Sequence, residues 1–294
     1  MNVLVVTKLT NWEQFGEAAA RQKDVARFHH LEKDFEVLKG AHVEHYEALE
    51  LVENVLKKHR VSFTLIRRSD NWPIGVPFDA VITVGGDGTL LTASHNLLSP
   101  ETPIIGIRSS KSSVGYLCCE NADRFEAVLM KMLSGALECT VTSRIRASID
   151  FIESGLTKTT LPALNDFLFA NSNPAAVTRY QIALGGKKEI QKSSGIWVAT
   201  ATGSSAAIHA AGGTVQDRTD KMCQYFVREL YKMDTNTFKL VKGFFDPGTE
   251  SLVVENHNSK ALLALDGQRL IIPLKFGDRI RFEKAPALKI CFKV

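Results

Sequence analysis

The chain has 294 residues, of which 45% are hydrophobic and 23% charged, an ordinary composition for a folded protein of one or two domains. No apolar run approaches the ~18 residues needed to cross a bilayer, which sets a membrane-spanning function aside. The net charge of +4, with no Lys/Arg block, favours a small anionic ligand over nucleic acid.

The opening M-N-V-L-V-V-T-K reads as a strand, Val3 to Val6, with neither a basic n-region nor a long apolar h-region before it. The expectation is therefore a cytoplasmic protein. Five cysteines without a C-x-x-C pair point the same way, toward reduced thiols serving as small apolar residues.

Residues 11 to 60 are patterned as helix. Glu44, Glu47, Glu50 and Glu53 load the front of its clearest part and Lys57, Lys58, His59 and Arg60 its end, a polarity that suits the helix dipole. Leu49, Val52 and Leu56 form the apolar stripe. Strands follow at Ser62 to Ile66, Ala80 to Val84 and Pro103 to Ile107, with helices after Thr89 (ending near Ser99-Pro100) and over 123–134. Alternating strands and helices imply a parallel, doubly wound sheet.

After residue 141 the texture becomes β-rich. I-R-A-S-I-D-F-I, D-F-L-F-A, Y-Q-I-A-L, I-W-V-A-T, L-V-V-E, L-L-A-L, R-L-I-I, D-R-I-R-F and L-K-I-C-F all read as strands. Gly185-Gly186, Asp266-Gly267 and Gly277-Asp278 supply turns. Helices are expected at 204–211 and 219–232. The division expected is an α/β domain over 1–141 and a β-rich, sandwich-like domain over 142–294.

The run V-I-T-V-G-G-D-G-T-L-L, Val81 to Leu91, is a strand leading into a glycine turn and then a helix. Gly85, Gly86 and Gly88 permit positive φ and close backbone approach. Their N–H groups with the helix N-terminus can hold a phosphate. The run matches neither a Walker A motif nor G-x-G-x-x-G. Asp87 in its middle has two readings, a plain turn residue or a base that takes the proton of an attacking hydroxyl. The residues alone leave both open.

G-G-D-G-T after a strand resembles the kinase superfamily that includes NAD kinases, diacylglycerol kinases and phosphofructokinases. Downstream motifs resemble the NAD kinase family, with some features closest to its mitochondrial-type subgroup. They are A-L-N-D-F with Asn165-Asp166, T-A-T-G-S at Thr200 to Ser204, Gly212-Gly213, and Asp266-Gly267. The resemblance implies a Rossmann-like parallel-sheet domain followed by a β-rich domain. It implies ATP-dependent phosphorylation of the adenosine-ribose 2′-hydroxyl of NAD to give NADP. Asp87 would be the base, and Gly85, Gly86, Gly88 and Thr89 would meet the phosphates. Asn165 and Asp166 would bind ribose hydroxyls. Thr202, Gly203, Ser204 and Asp266 would complete the dinucleotide site. Mg²⁺ would arrive with ATP, with no metal held by protein ligands alone. A homodimer or homotetramer is expected, with no nucleic-acid or membrane partner.

By their residues alone, Asn165-Asp166 also reads as a strand-entry turn, Thr202 or Ser204 as a helix cap, and Asp266 as a hairpin residue. The chain departs from the family pattern at three places: Ala207 stands for an aromatic residue, Ser194 for Asp, and Arg108-Ser109-Ser110 for N-T-G. Two alternatives accompany the reading: a non-catalytic dinucleotide-binding regulator, and a lipid or small-molecule kinase of the same superfamily. Arg108, Lys111, Arg179 and Lys192 read as solvated loop charges. The His42/His45 pair, three apart on a helix, lacks the carboxylate partners of a metal site. His95 reads as structural, and Phe167 and Phe169 as core.

Overall fold

The computed structural model describes residues 1–16, 29–73, 75–97, 99–231 and 237–292, with the side chains of residues 29–33 aside. The chain forms two compact units. The first comprises Met1–Leu97, Glu101–Thr140 and Lys289–Val294, and the second Leu98–Pro100 and Val141–Leu288. The described residues from Lys289 on, within the segment 142–294 expected as the second domain, belong to the first unit.

In the first unit, strands β1 (Asn2–Thr7), β2 (Ser62–Arg67), β3 (Ala80–Gly85), β4 (Ile104–Arg108) and the short β5 (Glu120–Asn121) all pair in parallel. Their order is β2-β1-β3-β4, and Ile290 and Cys291 run parallel to β4 on its far side. The apolar runs at β1, β3 and β4 are buried along nearly their whole length, as a sheet covered on both faces requires. Helix α1 (His29–Lys58) packs Leu49, Val52 and Leu56 onto this sheet, each such side chain being worth ~1.5–3 kcal/mol of burial. It ends where Arg60 turns left-handed (φ 53°). The early part of the helical stretch read from the sequence, residues 17–28, lies outside the described residues. Helices α2 (Asp87–Ser94) and α3 (Phe125–Leu133) complete the unit. α2 stops at Ser94, some residues short of the expected Ser99-Pro100.

Cys139 and Cys291 form a disulfide within this unit, which corrects the reading of all five cysteines as reduced. The two positions are 152 residues apart in sequence, so only the return of the last strand to β4 brings them together. Cys118, Cys119 and Cys223 are free and buried.

The second unit is a β-sandwich. One sheet pairs β12 (Cys223–Arg228), β11 (Gly195–Ala199), β8 (Asp166–Asn171), β15 (Ala261–Leu265) and β16 (Leu270–Leu274), with β13 (Lys242–Phe245) at one edge. The other joins β6 (Thr140–Phe151), β7 (Leu156–Thr159), β9 (Thr178–Leu184), β10 (Lys187–Ser193), β14 (Leu252–Asn256) and β17 (Arg279–Cys291). Alternating apolar residues meet across the layers: Phe167 lies 5.5 Å from Phe282 and Phe169 lies 5.8 Å from Tyr180, centroid to centroid. Phe167 and Phe169 are therefore core, as their alternation suggests. Gly185 (φ 56°) and Gly186 (φ 75°) make the β9–β10 hairpin turn.

The helix expected over 219–232 is absent; Cys223–Arg228 is a strand between β11 and β13. Q-Y-F-V-R favours the β-region by its β-branched and aromatic residues, and it is paired on both edges. The expected helix at 204–211 is reduced to a 3₁₀ turn, Thr202–Ser205, and the short α4, Ala207–Ala210. D-R-I-R-F and L-K-I-C-F are one continuous strand, β17. Among the described residues no helix is long and apolar enough to cross a membrane.

Candidate active site

The glycine turn of the first unit follows directly from its neighbours. Buried β3 runs out at Gly85 and α2 starts at Asp87, with Gly86 extended (φ −119°, ψ −170°) and its carbonyl accepting the Thr89 N–H at 2.8 Å. None of Gly85, Gly86 and Gly88 has a positive φ. That corrects the expected reason for these glycines: the requirement is close approach. A Cβ on Gly85 would fall 2.2 Å from Thr89 Oγ1, and one on Gly86 would fall 2.2 Å from Ser113 Oγ.

Asp87, half-buried at the head of α2, accepts the Leu117 backbone N–H at Oδ1, 2.7 Å away. Thr89 Oγ1 is buried without a hydrogen-bond partner. An unpaired hydroxyl of this kind costs free energy unless a ligand or water meets it. Gly85, Gly86, Asp87, Gly88 and Thr89 thus form one turn carrying a restrained carboxylate, an unsatisfied hydroxyl and a helix N-terminus. The nearby Cys118 thiol is pushed up to about 12 by burial and then by the Asp87 charge, so it is inert as a nucleophile at neutral pH.

The second unit gathers the remaining predicted residues. The Asp266 carboxylate accepts three successive backbone N–H groups: Leu164 at 3.1 Å, Asn165 at 2.8 Å and Asp166 at 3.1 Å. Asp266 (φ 47°) and Gly267 (φ 79°) are both left-handed, the conformation a D-G turn supplies. From the other side, the Thr200 hydroxyl donates to Leu164 O, and Thr200 N–H donates to Asn165 O at 2.9 Å. Gly203 presses on the same peptide, since a Cβ there would fall 2.1 Å from Asn165 O. Asn165-Asp166 and T-A-T-G-S, far apart in sequence, are one structure.

Within it the roles divide. Asn165 Oδ1 and Thr202 Oγ1 are buried and unpartnered, as sites for a polar ligand would be. Ser204 is not available in this way. Its hydroxyl donates to Ala201 O at 2.7 Å and accepts Gln216 N–H at 2.8 Å, so it closes the turn. Asp266 likewise spends its carboxylate on backbone. Burial, followed by the Asp266 charge and opposed by Arg269, raises the Asp166 carboxyl to about 7.

His45 is fully buried between Thr7 Oγ1 (3.0 Å) and Ser109 Oγ (2.8 Å), and burial lowers its pKa to about 4. His42 contacts Thr10 Oγ1 instead, so the pair tethers α1 to β1 and to the residues after β4. Sequence reasoning missed Leu117, Thr200 and the fixed side chain of Arg108, whose Nε donates to Asn121 Oδ1 at 2.9 Å. No local pattern marks Leu117 or the Arg108 side chain, and T-A-T-G-S includes Thr200 without showing its role, because each acts through a partner from another element.

The family model "ATP-NAD kinase N-terminal domain" matches residues 19–137. The chain is 31% identical over 271 residues to a protein of Oryza sativa subsp. japonica named "Probable NADH kinase", covering 84% of this chain and 81% of the relative. It is 32% identical over 266 residues to an Arabidopsis thaliana "NADH kinase", covering 84% and 83%. In fold it is similar to an Archaeoglobus fulgidus NAD kinase solved with ATP (TM-score 0.66, 21% identity, 99% of this chain and 93% of that one). It is also similar to a yeast NADH kinase solved with NADH (TM-score 0.71, 17% identity, 100% and 84%). With a G-G-D-G-T turn in a parallel sheet, an N-D/T-x-T-G-S structure in a β-sandwich, and these relatives over most of its length, the chain belongs to the NAD kinase family and is a kinase.

Proposed function

We propose that the protein transfers the γ-phosphoryl group of ATP to the adenosine-ribose 2′-hydroxyl of a nicotinamide dinucleotide. The observation that carries the reading is the Asp87 carboxylate, held by Leu117 N–H in the turn where the Thr89 hydroxyl lacks a partner. Asp87 accepts the proton of the 2′-hydroxyl as its oxygen attacks the γ-phosphorus. The new P–O bond forms as the bond to the ADP oxygen breaks, in line. The α2 N-terminus and the turn's N–H groups meet phosphate charge. Asn165 Oδ1 and Thr202 Oγ1 supply polar partners for the dinucleotide, while Asp266, Gly203 and Ser204 hold them in place. A dissociable Asp166 carboxyl can accept from a sugar hydroxyl when ionised or donate to it when protonated.

Among the described residues no cluster of three metal-ligating side chains occurs. Mg²⁺ arriving with ATP is part of the proposal on general grounds, and the ion would supply neutralisation of phosphate charge. The decisive experiment is to incubate purified protein with ATP, Mg²⁺ and NAD and to assay NADP. Binding without turnover favours a regulator, and phosphorylation of some other acceptor removes the assignment.

The names of the two plant relatives favour a second reading, in which the reduced dinucleotide is the better acceptor. The ratio of kcat/KM for NADH over NAD decides it. Cytoplasmic localisation and a homodimer or homotetramer remain part of the proposal, the former without the support of uniformly reduced thiols, since Cys139 and Cys291 are bonded. Light scattering at micromolar concentration showing only ~32 kDa particles removes the oligomer, that mass being the monomer's 32.5 kDa.

A further inference from the structure

Arg108 ends β4 beside the glycine turn. It pairs in parallel register with Gly85, and the next N–H, Ser109, donates to Gly85 O at 3.0 Å. Its guanidinium is aimed. Nε donates to Asn121 Oδ1 on β5 at 2.9 Å, and Nη1 reaches the carbonyl oxygens of Ser113 (3.4 Å) and Val114 (3.5 Å). The stem lies flat on Gly115, which is left-handed (φ 67°) and where a Cβ would fall 2.5 Å from Arg108 Cδ.

Two residues beyond Gly115, the Leu117 N–H donates to Asp87 Oδ1. Two residues before it, Ser113 packs on Gly86. The other end of the loop is tied by Glu44, whose Oε2 accepts Ser110 Oγ at 2.7 Å and Lys111 N–H at 2.9 Å. The connection from β4 to β5 is therefore clasped from both sides, and its last part touches the reacting carboxylate. The two Nη1 contacts are long, but they share one planar group that Asn121 fixes. A solvated loop charge, the reading the sequence invites, would have no such anchor. Lysine could not reproduce it, because its ammonium is a point charge rather than a fork.

We propose that Arg108 is a positioning residue for Asp87, holding the Ser113–Gly115 turn so that the Leu117 N–H orients the Asp87 carboxylate. The inference rests on Asp87 being the base. Arg108 touches no reacting atom; it acts through backbone, and displacement of a reacting group by about 1 Å can cost up to ~10²-fold in rate.

The test uses Arg108→Met, which keeps the stem over Gly115 and removes the donors, with Arg108→Lys as a second variant that keeps the charge. Steady-state rates are measured with ATP, Mg²⁺ and NAD, alongside backbone hydrogen exchange at Leu117. The expected result is a kcat about tenfold lower for both variants with each KM within about twofold, and faster exchange at Leu117. In an Asp87→Asn background, Arg108→Met should cost less than about twofold, because groups acting as one unit are not additive. Near-wild-type kcat, an equal loss in both backgrounds, or unchanged Leu117 exchange overturns the proposal. Should the wild-type protein make no NADP, the proposed function falls, while the Leu117 exchange still decides whether Arg108 orders the loop.

Discussion

The carboxylate of Asp266 accepts the backbone N–H of Asn165 at 2.8 Å while flanking oxygen contacts take Leu164 and Asp166. One side chain thus satisfies three consecutive donors at the entrance to β8. Asn165 and Asp166, the residues proposed to meet the dinucleotide, owe their backbone course to a residue about a hundred positions later. Asp266→Ala strands these donors and puts a Cβ-only side chain at φ 47°. Each unsatisfied buried donor costs about 1–3 kcal/mol, so chemical denaturation should show a loss of at least about 3 kcal/mol. Asp266→Asn tolerates the left-handed backbone and keeps one acceptor oxygen, so it should lose clearly less.

Asp87→Asn should keep the fold and lose ~10²–10⁴-fold in turnover, the usual contribution of a general base. The asparagine retains an acceptor for Leu117 N–H, so circular dichroism and thermal denaturation should match wild type. Turnover within a few-fold of wild type would take Asp87 out of the base role.

Gly203→Ala places a Cβ 2.1 Å from Asn165 O and 2.5 Å from Asn165 C. Both are backbone atoms that cannot rotate away. Overpacking of this kind costs about 1–3 kcal/mol, and here the strain moves the Asn165 peptide itself. The expected outcome is a lower melting temperature together with a raised KM for the dinucleotide, read by steady-state kinetics. A stability loss with an unchanged KM would separate the turn from dinucleotide recognition.

Asp166 makes stability depend on pH. Burial and the Asp266 charge raise its carboxyl to about 7, with Arg269 opposing, against an unfolded value of about 3.9. Between those two values the folded chain keeps a proton that the unfolded chain has lost, so this group's contribution to stability falls as pH rises through that window. Below the lower value its penalty is absent, and above about pH 7 the penalty is complete. Urea denaturation of wild type and Asp166→Asn at several pH values tests this. The wild-type-minus-variant difference should become less favourable from pH 4 to 7 and then level off.

The Cys139–Cys291 disulfide ties the returning last strand to the start of the connection into the β-sandwich. A cross-link over so long a stretch of chain stabilises by about 2–5 kcal/mol, chiefly by restricting the unfolded state. Adding a dithiol reductant, or changing Cys291→Ser, should lower the melting temperature. Peptide mass mapping should find the Cys139–Cys291 pair and no bridge at Cys118, Cys119 or Cys223.

The chain's local patterns were sufficient for the parallel sheet, for most strands of the sandwich and for the glycine turn. Apolar runs bounded by Gly, Pro and Asp report burial and turn geometry without reference to anything distant. They failed at Cys223–Arg228, expected as helix, where β-forming side chains and neighbouring strands β11 and β13 make a strand. They also failed where a residue's role is its partner. Nothing in R-S-S foretells that Arg108 reaches Asn121, nothing in L-C-C that Leu117 N–H meets Asp87, and nothing in D-G that Asp266 holds the Asn165 backbone. The residue types able to do the chemistry are written locally, since a carboxylate or a hydroxyl is what it is wherever it stands. Which of them is left with an unsatisfied buried atom, as Thr89, Asn165 and Thr202 are, and which is consumed by the fold, as Ser204 and Asp266 are, depends on long-range hydrogen bonds that exist only once the chain has closed on itself.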